Sequence, residues 1–404
     1  MAAFVLVLAL NGGSYDIVVR QQAGLVVWWL LLLGVVAGVI RGRTLPLDAR
    51  LVLGGLGVLA VWTAISFGWT SSDERTLTEV ARVVAHLGFV VAALLLIGPR
   101  TWPAAVAGVA FAMAAVTVLA FAGRFSEGLF GTSAVAVNFG ALRLSEPLNY
   151  WNALGAWAGM TSALCLAWSA HATRTAVRGL SLAVVPVAIA VSYLTYSRAS
   201  LGGTVLGIVV VLALSSHRWT LIVHSLAALT GGAAIVLALR GAPELADGVG
   251  NDGAAGVLVV AAAAVLVVAV VAAATGRAGL DRRHLGPVAA RRFGVALAVC
   301  GLLGGAAGAV LVGPDAWRQF KEQGVPATST DPAARLTNLN GSRYEVWATA
   351  VDVFGDHPVK GVGAGTFEYS WNAAQRDDEF LRDAHSLYLE VLAELGIVGF
   401  LALL

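Results

Sequence analysis

The sequence predicts an all-α membrane protein with about twelve transmembrane helices. Three observations predict this class: 58% of the 404 residues are hydrophobic, only 12% are charged, and the mean hydropathy is +0.80. Soluble globular chains carry about 25% charged residues, so this composition cannot supply a polar shell facing water. It therefore excludes a soluble globular enzyme, a disordered chain and a disulfide scaffold.

Apolar segments follow one another along the chain, and most approach the roughly 20 residues that a bilayer crossing requires. Continuous apolar runs predict helices rather than a barrel, because lipid cannot satisfy exposed backbone groups. The first segment is short, and it and the last reach the ends of the printed sequence, as expected for a trimmed fragment. The start lacks the basic region of a cleavable signal peptide. The segments are 2–10, 23–40, 51–69, 80–97, 104–122, 153–170, 179–195, 199–214, 219–239, 254–274, 293–313 and 385–404.

Charge alternates between successive connections. The arginine-rich connections contain Arg41, Arg43, Arg50, Arg100, Arg174, Arg178, Arg218, Arg277, Arg282, Arg283, Arg291 and Arg292, with Asp48 and Asp281 as their acidic residues. The other connections carry Asp73, Glu74, Glu79, Glu127, Glu146, Glu244, Asp247 and Asp252. The positive-inside rule places the arginine-rich set in the cytoplasm, and both chain ends then face the cytoplasm.

One connection is far longer than the others and divides the chain into three parts. A transmembrane bundle of about eleven spans is predicted over 1–313, an external segment of about 70 residues over 314–384, and the last span over 385–404. Within the external segment, Ser342–Phe354 is predicted to form an amphipathic helix, and Gly361–Gly365 a flexible turn. The apolar residues at helical spacing are Tyr344, Trp347, Val351 and Phe354.

Three side chains on the external side are candidates for chemistry. Arg198 lies at a tight break between two spans, where a charge is either functional or a helix-end anchor. Arg343 opens the amphipathic helix, where backbone N–H groups and a guanidinium could hold one anion; the alternative is a surface pair with Glu345. His385 lies at an apolar–polar boundary, either as a general base titrating near neutral pH or as an ordinary interfacial residue.

Acidic residues supply the weaker candidates. Glu390 and Glu394 lie within an apolar segment and favour a polar cavity there. The runs Asp377–Glu379 and Asp73–Glu74 offer oxygen ligands for a divalent cation, but a solvated acidic surface is the preferred interpretation, so no metal is expected. The net charge of +2 argues against nucleic acid as a partner.

Taken in order, several segments resemble the O-antigen ligase family (Wzy-C), bacterial membrane proteins that include O-antigen ligases and polymerases. The glycine turn, the histidine and Glu394-Leu395-Gly396 at family-like spacing are the most specific features. The resemblance extends from about residue 140 to the end, and earlier spans match only in hydropathy. The matching segments are 147–155, 196–200, 343–347, 357–367 and 385–399.

This resemblance implies a fold of the GT-C type and glycan transfer at the outer face of the bacterial cytoplasmic membrane. The donor would be a glycan on undecaprenyl diphosphate, and the acceptor a hydroxyl of a glycan, lipid or protein. Arg198 and Arg343 would hold the diphosphate without a metal or other cofactor, and His385 would deprotonate the acceptor in a single inverting displacement. Residues expected to contact donor or acceptor are Asn149, Asn152, Tyr196, Trp347, Tyr388 and Glu394.

Two other functions stay open at this point. A polymerase joining lipid-linked repeat units would share the donor-side residues, and the sequence does not separate it from a ligase. A secondary transporter of a small anion such as bicarbonate should show inverted repeats and polar groups near the midplane. No repeat is visible, and the notable polar groups lie near the outer surface, which favours the enzyme.

Overall fold

The computed structural model describes residues 1–40, 42, 44–126, 129–130, 143–282, 286–322, 336, 343–374 and 381–404. Every regular element in these residues is helical, which confirms the all-α class. In chain order the helices are α1 Ala2–Leu10, α2 Ile17–Val36, α3 Leu47–Ile65, α4 Asp73–Leu96, α5 Trp102–Gly123, α6 Trp151–His171, α7 Thr175–Leu194, α8 Arg198–Leu214, α9 Arg218–Arg240, α10 Pro243–Asp247, α11 Ala254–Arg277, α12 Pro287–Leu311, α13 Gly313–Lys321, α14 Arg343–Asp356, α15 Phe367–Ala374 and α16 Leu387–Leu403.

Nine helices of the described chain are long and apolar enough to cross a membrane, so the protein is a polytopic membrane protein. They are α2 to α7, α9, α11 and α12. Each of the twelve predicted segments overlaps a helix. Three of these helices, α1, α8 and α16, are not among the nine. The helix α1 has 9 residues, and α8 and α16 have 17 each. The number of twelve crossings therefore stays a prediction.

Several helices begin before the apolar run that predicts them. The clearest case is α4, predicted from residue 80 but beginning at Asp73. Ser72 caps this helix, because its hydroxyl oxygen accepts a hydrogen bond from the backbone N–H of Arg75 at 3.4 Å. The first turns of α4 are therefore helical although they are polar, and Arg75 and Glu79 lie on this polar part of the helix.

The helices form two compact units. Of the described residues, unit 1 comprises Met1–Tyr15, Ala104–Pro314 and Leu336, and unit 2 comprises Asp16–Pro103, 315–322 and the residues from Arg343 onward. The predicted division into 1–313, 314–384 and 385–404 follows membrane crossings, whereas this one follows packing.

Unit 1 is built around α7, which packs against α6, α9 and α11. In the apolar stretch of α7, 67% of the residues are buried. At the cytoplasmic end predicted for these helices, the buried His224 ring bonds Ser169 Oγ at 2.9 Å and Thr275 Oγ1 at 2.8 Å. One imidazole thus links α6, α9 and α11 with both nitrogens satisfied, as a buried polar group requires.

Unit 2 contains α2, α3 and α4 and a small core formed by α14, α15 and the first half of α16. The amphipathic helix predicted at Ser342–Phe354 is present as α14, but its buried face is different. Val351 is 53% exposed, because α15 packs on the neighbouring face of the helix. The buried core side chains are Val346, Ala350, Phe367, Trp371, Ala384 and Ala393.

The last predicted span, 385–404, is not one straight helix. Gly396 interrupts α16 with φ 63° and ψ −165°. The interruption is held by two hydrogen bonds: Trp62 Nε1 donates to the Leu395 carbonyl at 2.9 Å, and the Ile397 N–H donates to the Pro358 carbonyl at 2.9 Å. The part of α16 before Gly396 therefore packs with α14 and α15 and forms a separate segment from the part that follows.

Candidate active site

Arg198 is the first residue of α8, and its side chain is exposed. The helix begins here because Ser197 is extended and its hydroxyl oxygen accepts from Ser200, from the N–H at 3.4 Å and from the hydroxyl at 2.9 Å. A cation is unfavourable at the positive end of a helix dipole. A bound anion would interact favourably with both the guanidinium and the helix end.

Tyr196 precedes the cap in a left-handed conformation, φ 45°, and its side chain is 3% exposed. Its hydroxyl donates to Asp247 Oδ1 at 3.1 Å. Burial, and then the neighbouring carboxylate, raise the pKa of the Tyr196 phenol well above its ordinary value. Burial lowers the pKa of the nearby Arg124 guanidinium to about 10, so it stays charged at neutral pH. Tyr196 was predicted to contact substrate; in the structure its hydroxyl is engaged by Asp247.

Arg143, which was not among the residues predicted from the sequence, bonds the turn that precedes Arg198. Its Nε donates to the carbonyl of Thr195 at 2.8 Å and its Nη2 to the carbonyl of Tyr196 at 2.8 Å. The same guanidinium lies over the ring of Trp151, 4.7 Å from its centroid. The sequence carries no signal that singles it out, because Arg75, Arg124 and Arg240 lie in connections assigned to the same side of the membrane.

Asn149 and Asn152 also belong to unit 1, at the beginning of α6. Asn149 is left-handed, with φ 59°, as asparagine tolerates better than most residues. Asn152 lies in the first turn of α6 and its Nδ2 donates to the Tyr150 hydroxyl at 2.8 Å. Both predicted contact residues therefore lie in the same unit as Arg198.

Arg343 is the first described residue of α14 and is exposed. One turn later, Trp347 lies half-buried and its Nε1 donates to the carbonyl of Ala384 at 3.0 Å. Since Ala384 immediately precedes His385, the helix that begins with Arg343 holds the backbone next to the histidine. Arg343 and His385 are thus both attached to segments that pack in one small core of unit 2.

His385 is exposed and left-handed, with φ 52°. Glu390 fixes the backbone on both sides of it: its Oε2 accepts from the Ala384 N–H at 2.9 Å, and its N–H donates to the Ser386 carbonyl at 2.9 Å. The strained backbone of a non-glycine residue persists only where its surroundings determine it, as they do here.

Glu394 holds the glycine turn. Its Oε2 accepts from the Gly365 N–H at 2.7 Å and its Oε1 from the Phe367 N–H at 3.0 Å. Gly361, Gly363 and Gly365 all have positive φ. A side chain on Gly361 would approach the Glu394 backbone to 2.3 Å. The turn that we expected to be flexible is therefore fixed by close backbone packing and a buried carboxylate.

A narrow polar cleft lies beside this arrangement. Arg75 forms a two-point pair with Glu368, Nε to Oε1 at 2.7 Å and Nη2 to Oε2 at 3.2 Å, and Glu79 pairs with Arg82. This agrees with the polar cavity predicted around Glu390 and Glu394, but Arg75 was not among the residues predicted from the sequence. The cleft is lined by Arg75, Thr78, Glu79, Gly365, Arg382, Asp383, Glu390 and Glu394.

The remaining predicted residues have simpler surroundings. Tyr388 is 57% exposed on α16, with its ring 6.3 Å from that of Phe400. The acidic run Asp377–Glu379 lies outside the described residues. In the part of the chain that the structure describes, no group of three or more His, Cys, Asp or Glu side chains is arranged to hold a metal ion.

Comparison with protein families matches the chain to the O-antigen ligase family (Wzy-C) over residues 182–404. This range is more than half of the chain and contains Arg198, Arg343 and His385, whereas 147–155 lies ahead of it. No curated protein and no solved structure gives a significant match. The chain belongs to the O-antigen ligase family and is a multi-pass membrane enzyme of the glycan ligase and polymerase type.

Proposed function

We propose that the protein transfers a glycan from undecaprenyl diphosphate to an acceptor hydroxyl at the outer face of the bacterial cytoplasmic membrane. Family membership supports an enzyme acting on lipid-linked glycans and gives no support to a small-anion transporter. The observation that carries the proposal is the common support of Arg343 and His385. Trp347, one turn after Arg343, bonds the residue preceding His385.

The leaving group sets the first chemical requirement. When the bond between the anomeric carbon and the diphosphate oxygen breaks, the electron pair stays on the lipid diphosphate, which gains negative charge. Guanidinium groups stabilise such charge through paired N–H donors. Arg198 and Arg343 are exposed, and each is the first described residue of its helix. We assign both to the diphosphate. The proposed reaction needs no metal, because the arginines supply the positive charge.

The nucleophile sets the second requirement. The acceptor oxygen forms a bond to the anomeric carbon while its proton passes to a ring nitrogen of His385. The exposed side chain and fixed backbone of His385 suit this role. Attack from the face opposite the diphosphate in one displacement gives inversion at the anomeric carbon.

The test is to incubate the purified protein with a glycan on undecaprenyl diphosphate and with candidate acceptors, and to identify the product by mass spectrometry and its anomeric configuration by NMR. We expect an inverted glycoside, released undecaprenyl diphosphate, and an unchanged rate in EDTA. The matched control is the same glycan on undecaprenyl monophosphate, which should react far more slowly.

The choice of acceptor distinguishes the two family activities. A product on a lipid, glycan or protein hydroxyl indicates a ligase, and a lengthened lipid-linked glycan indicates a polymerase. Retention of configuration, or a reaction abolished by EDTA and restored by a divalent cation, would contradict the proposed mechanism.

A further inference from the structure

The turn that precedes Arg198 contains backbone carbonyls that need hydrogen-bond donors from outside α7. The last carbonyls of a helix have no partner within the helix. At the end of α7, Tyr196 is left-handed and Ser197 extended, so the chain leaves the helix abruptly before α8 begins. Arg198 follows this turn directly, so the conformation of the turn sets the position from which its exposed side chain extends.

Three consecutive carbonyls at this turn are satisfied from one short segment. Arg143 donates to Thr195 and Tyr196 from two nitrogens, each at 2.8 Å, and the Leu144 N–H donates to the Leu194 carbonyl at 3.0 Å. The planar fork of arginine matches two neighbouring acceptors, which a lysine ammonium on a flexible stem does not. A positive charge is also favourable at a helix C-terminus.

The guanidinium is itself held in place. It lies over the Trp151 ring at 4.7 Å, and Trp151 is the first residue of α6. On the other side of the turn, the Tyr196 hydroxyl bonds Asp247. Arg143 thus holds two carbonyls of the turn, and Asp247 holds the side chain of Tyr196.

We infer that Arg143 is a positioning residue for Arg198: it fixes the turn that presents Arg198 to the donor diphosphate. This inference rests on the proposed function for its kinetic consequence, but the effect on the turn itself can be measured without any substrate. The kinetic consequence and the effect on the turn are therefore tested in separate experiments, so that a failure of one can be distinguished from a failure of the other.

The kinetic test uses Arg143→Gln, Arg143→Lys and, as a matched control, Arg240→Gln, which changes another arginine at the end of a helix. We expect Arg143→Gln to lower kcat/KM for the lipid-diphosphate donor about ten- to a hundredfold. The KM for the acceptor and the folded fraction under assay conditions should stay near the wild-type values. Arg143→Lys should recover little activity, and Arg240→Gln should behave as wild type.

The substrate-free test places a nitroxide at Ala199→Cys in a Cys165→Ala, Cys300→Ala background and records its mobility by EPR. Arg143→Gln should increase the mobility of this label, and Arg240→Gln should leave it unchanged. Unchanged mobility in a folded Arg143→Gln protein would overturn the inference. So would donor and acceptor kinetics falling together with the folded fraction, since that indicates a purely structural role. If mobility rises but wild-type protein transfers no glycan, the proposed function fails and the positioning of the turn stands.

Discussion

An arginine at the beginning of a helix adds positive charge where the helix dipole is already positive, so the position alone is unfavourable. Arg198 is such a residue in α8, and Arg343 is the first described residue of α14; both are exposed. A doubly charged diphosphate removes the conflict, because backbone N–H groups and the guanidinium then share one anion. The repetition of this arrangement in two helices is the residue-level basis for assigning both arginines to the donor.

Lysine in place of either arginine tests this assignment. Arg198→Lys and Arg343→Lys keep the charge but lose the paired N–H donors, so we expect transfer to fall at least about tenfold for each. The measurement is the initial rate at subsaturating donor, with Arg318→Lys as a control because Arg318 pairs only with Asp315 among the bonds described. Wild-type rates in both lysine variants would show that charge alone suffices.

At the scale of elements, the site in unit 2 depends on the interrupted helix α16. Glu390 and Glu394 lie one turn apart before the interruption and turn inward, one to the backbone beside His385 and one to the glycine turn. Gly396 allows this, because a side chain there would approach the Val359 carbonyl oxygen to 2.3 Å. The interruption at Gly396 therefore helps to keep Glu390 in the position from which it bonds the backbone next to His385.

Alanine at this glycine should be costly. Gly396→Ala combines a left-handed conformation with a backbone clash, and we expect it to lower the free energy of unfolding by about 2–5 kcal/mol. Gly256→Ala is the matched control, since nothing lies within 4 Å of its Cβ in α11, and it should stabilise by up to about 1 kcal/mol. Thermal unfolding in detergent measures both. Equal unfolding temperatures would contradict the packing described for α16.

How much of this was predictable differs between elements and contacts. Hydropathy predicted the long apolar helices, because burying apolar side chains in lipid depends on composition alone, but it did not predict the short helices α10, α13 and α15. It placed the start of α4 late, because capping by Ser72 extends a helix beyond its apolar run. Arg198, Arg343 and His385 were selected from charge at a boundary and from family-like spacing, and their roles stay predictions. The partners of Arg143 could not be predicted, since they depend on which carbonyls the fold brings within reach.

For the whole molecule, the charge pattern predicts which side of the membrane carries the site. The arginine-rich connections are assigned to the cytoplasm and the acidic ones to the outside. In this arrangement, Asp252 and the exposed Lys360 lie outside, and Arg174 lies inside. The proposed outward-facing site requires this orientation.

Labelling of single cysteines tests the orientation in a Cys165→Ala, Cys300→Ala background. In spheroplasts, a membrane-impermeant maleimide should label Asp252→Cys and Lys360→Cys but not Arg174→Cys. All three should react after permeabilisation, which controls for accessibility. Labelling of Arg174→Cys alone in sealed spheroplasts would place the candidate site in the cytoplasm.

In the proposed mechanism, two arginines bind the donor and one histidine activates the acceptor. Measuring donor affinity and transfer rate together in folded Arg198→Ala, Arg343→Ala and His385→Ala proteins separates these two roles. We expect both arginine variants to lose at least about tenfold in donor affinity together with transfer. The histidine variant should bind donor as wild type does and transfer no glycan. Transfer at the wild-type rate in two of the three variants, or a loss of donor affinity in His385→Ala equal to that of the arginine variants, would show that these residues do not divide the two roles in this way.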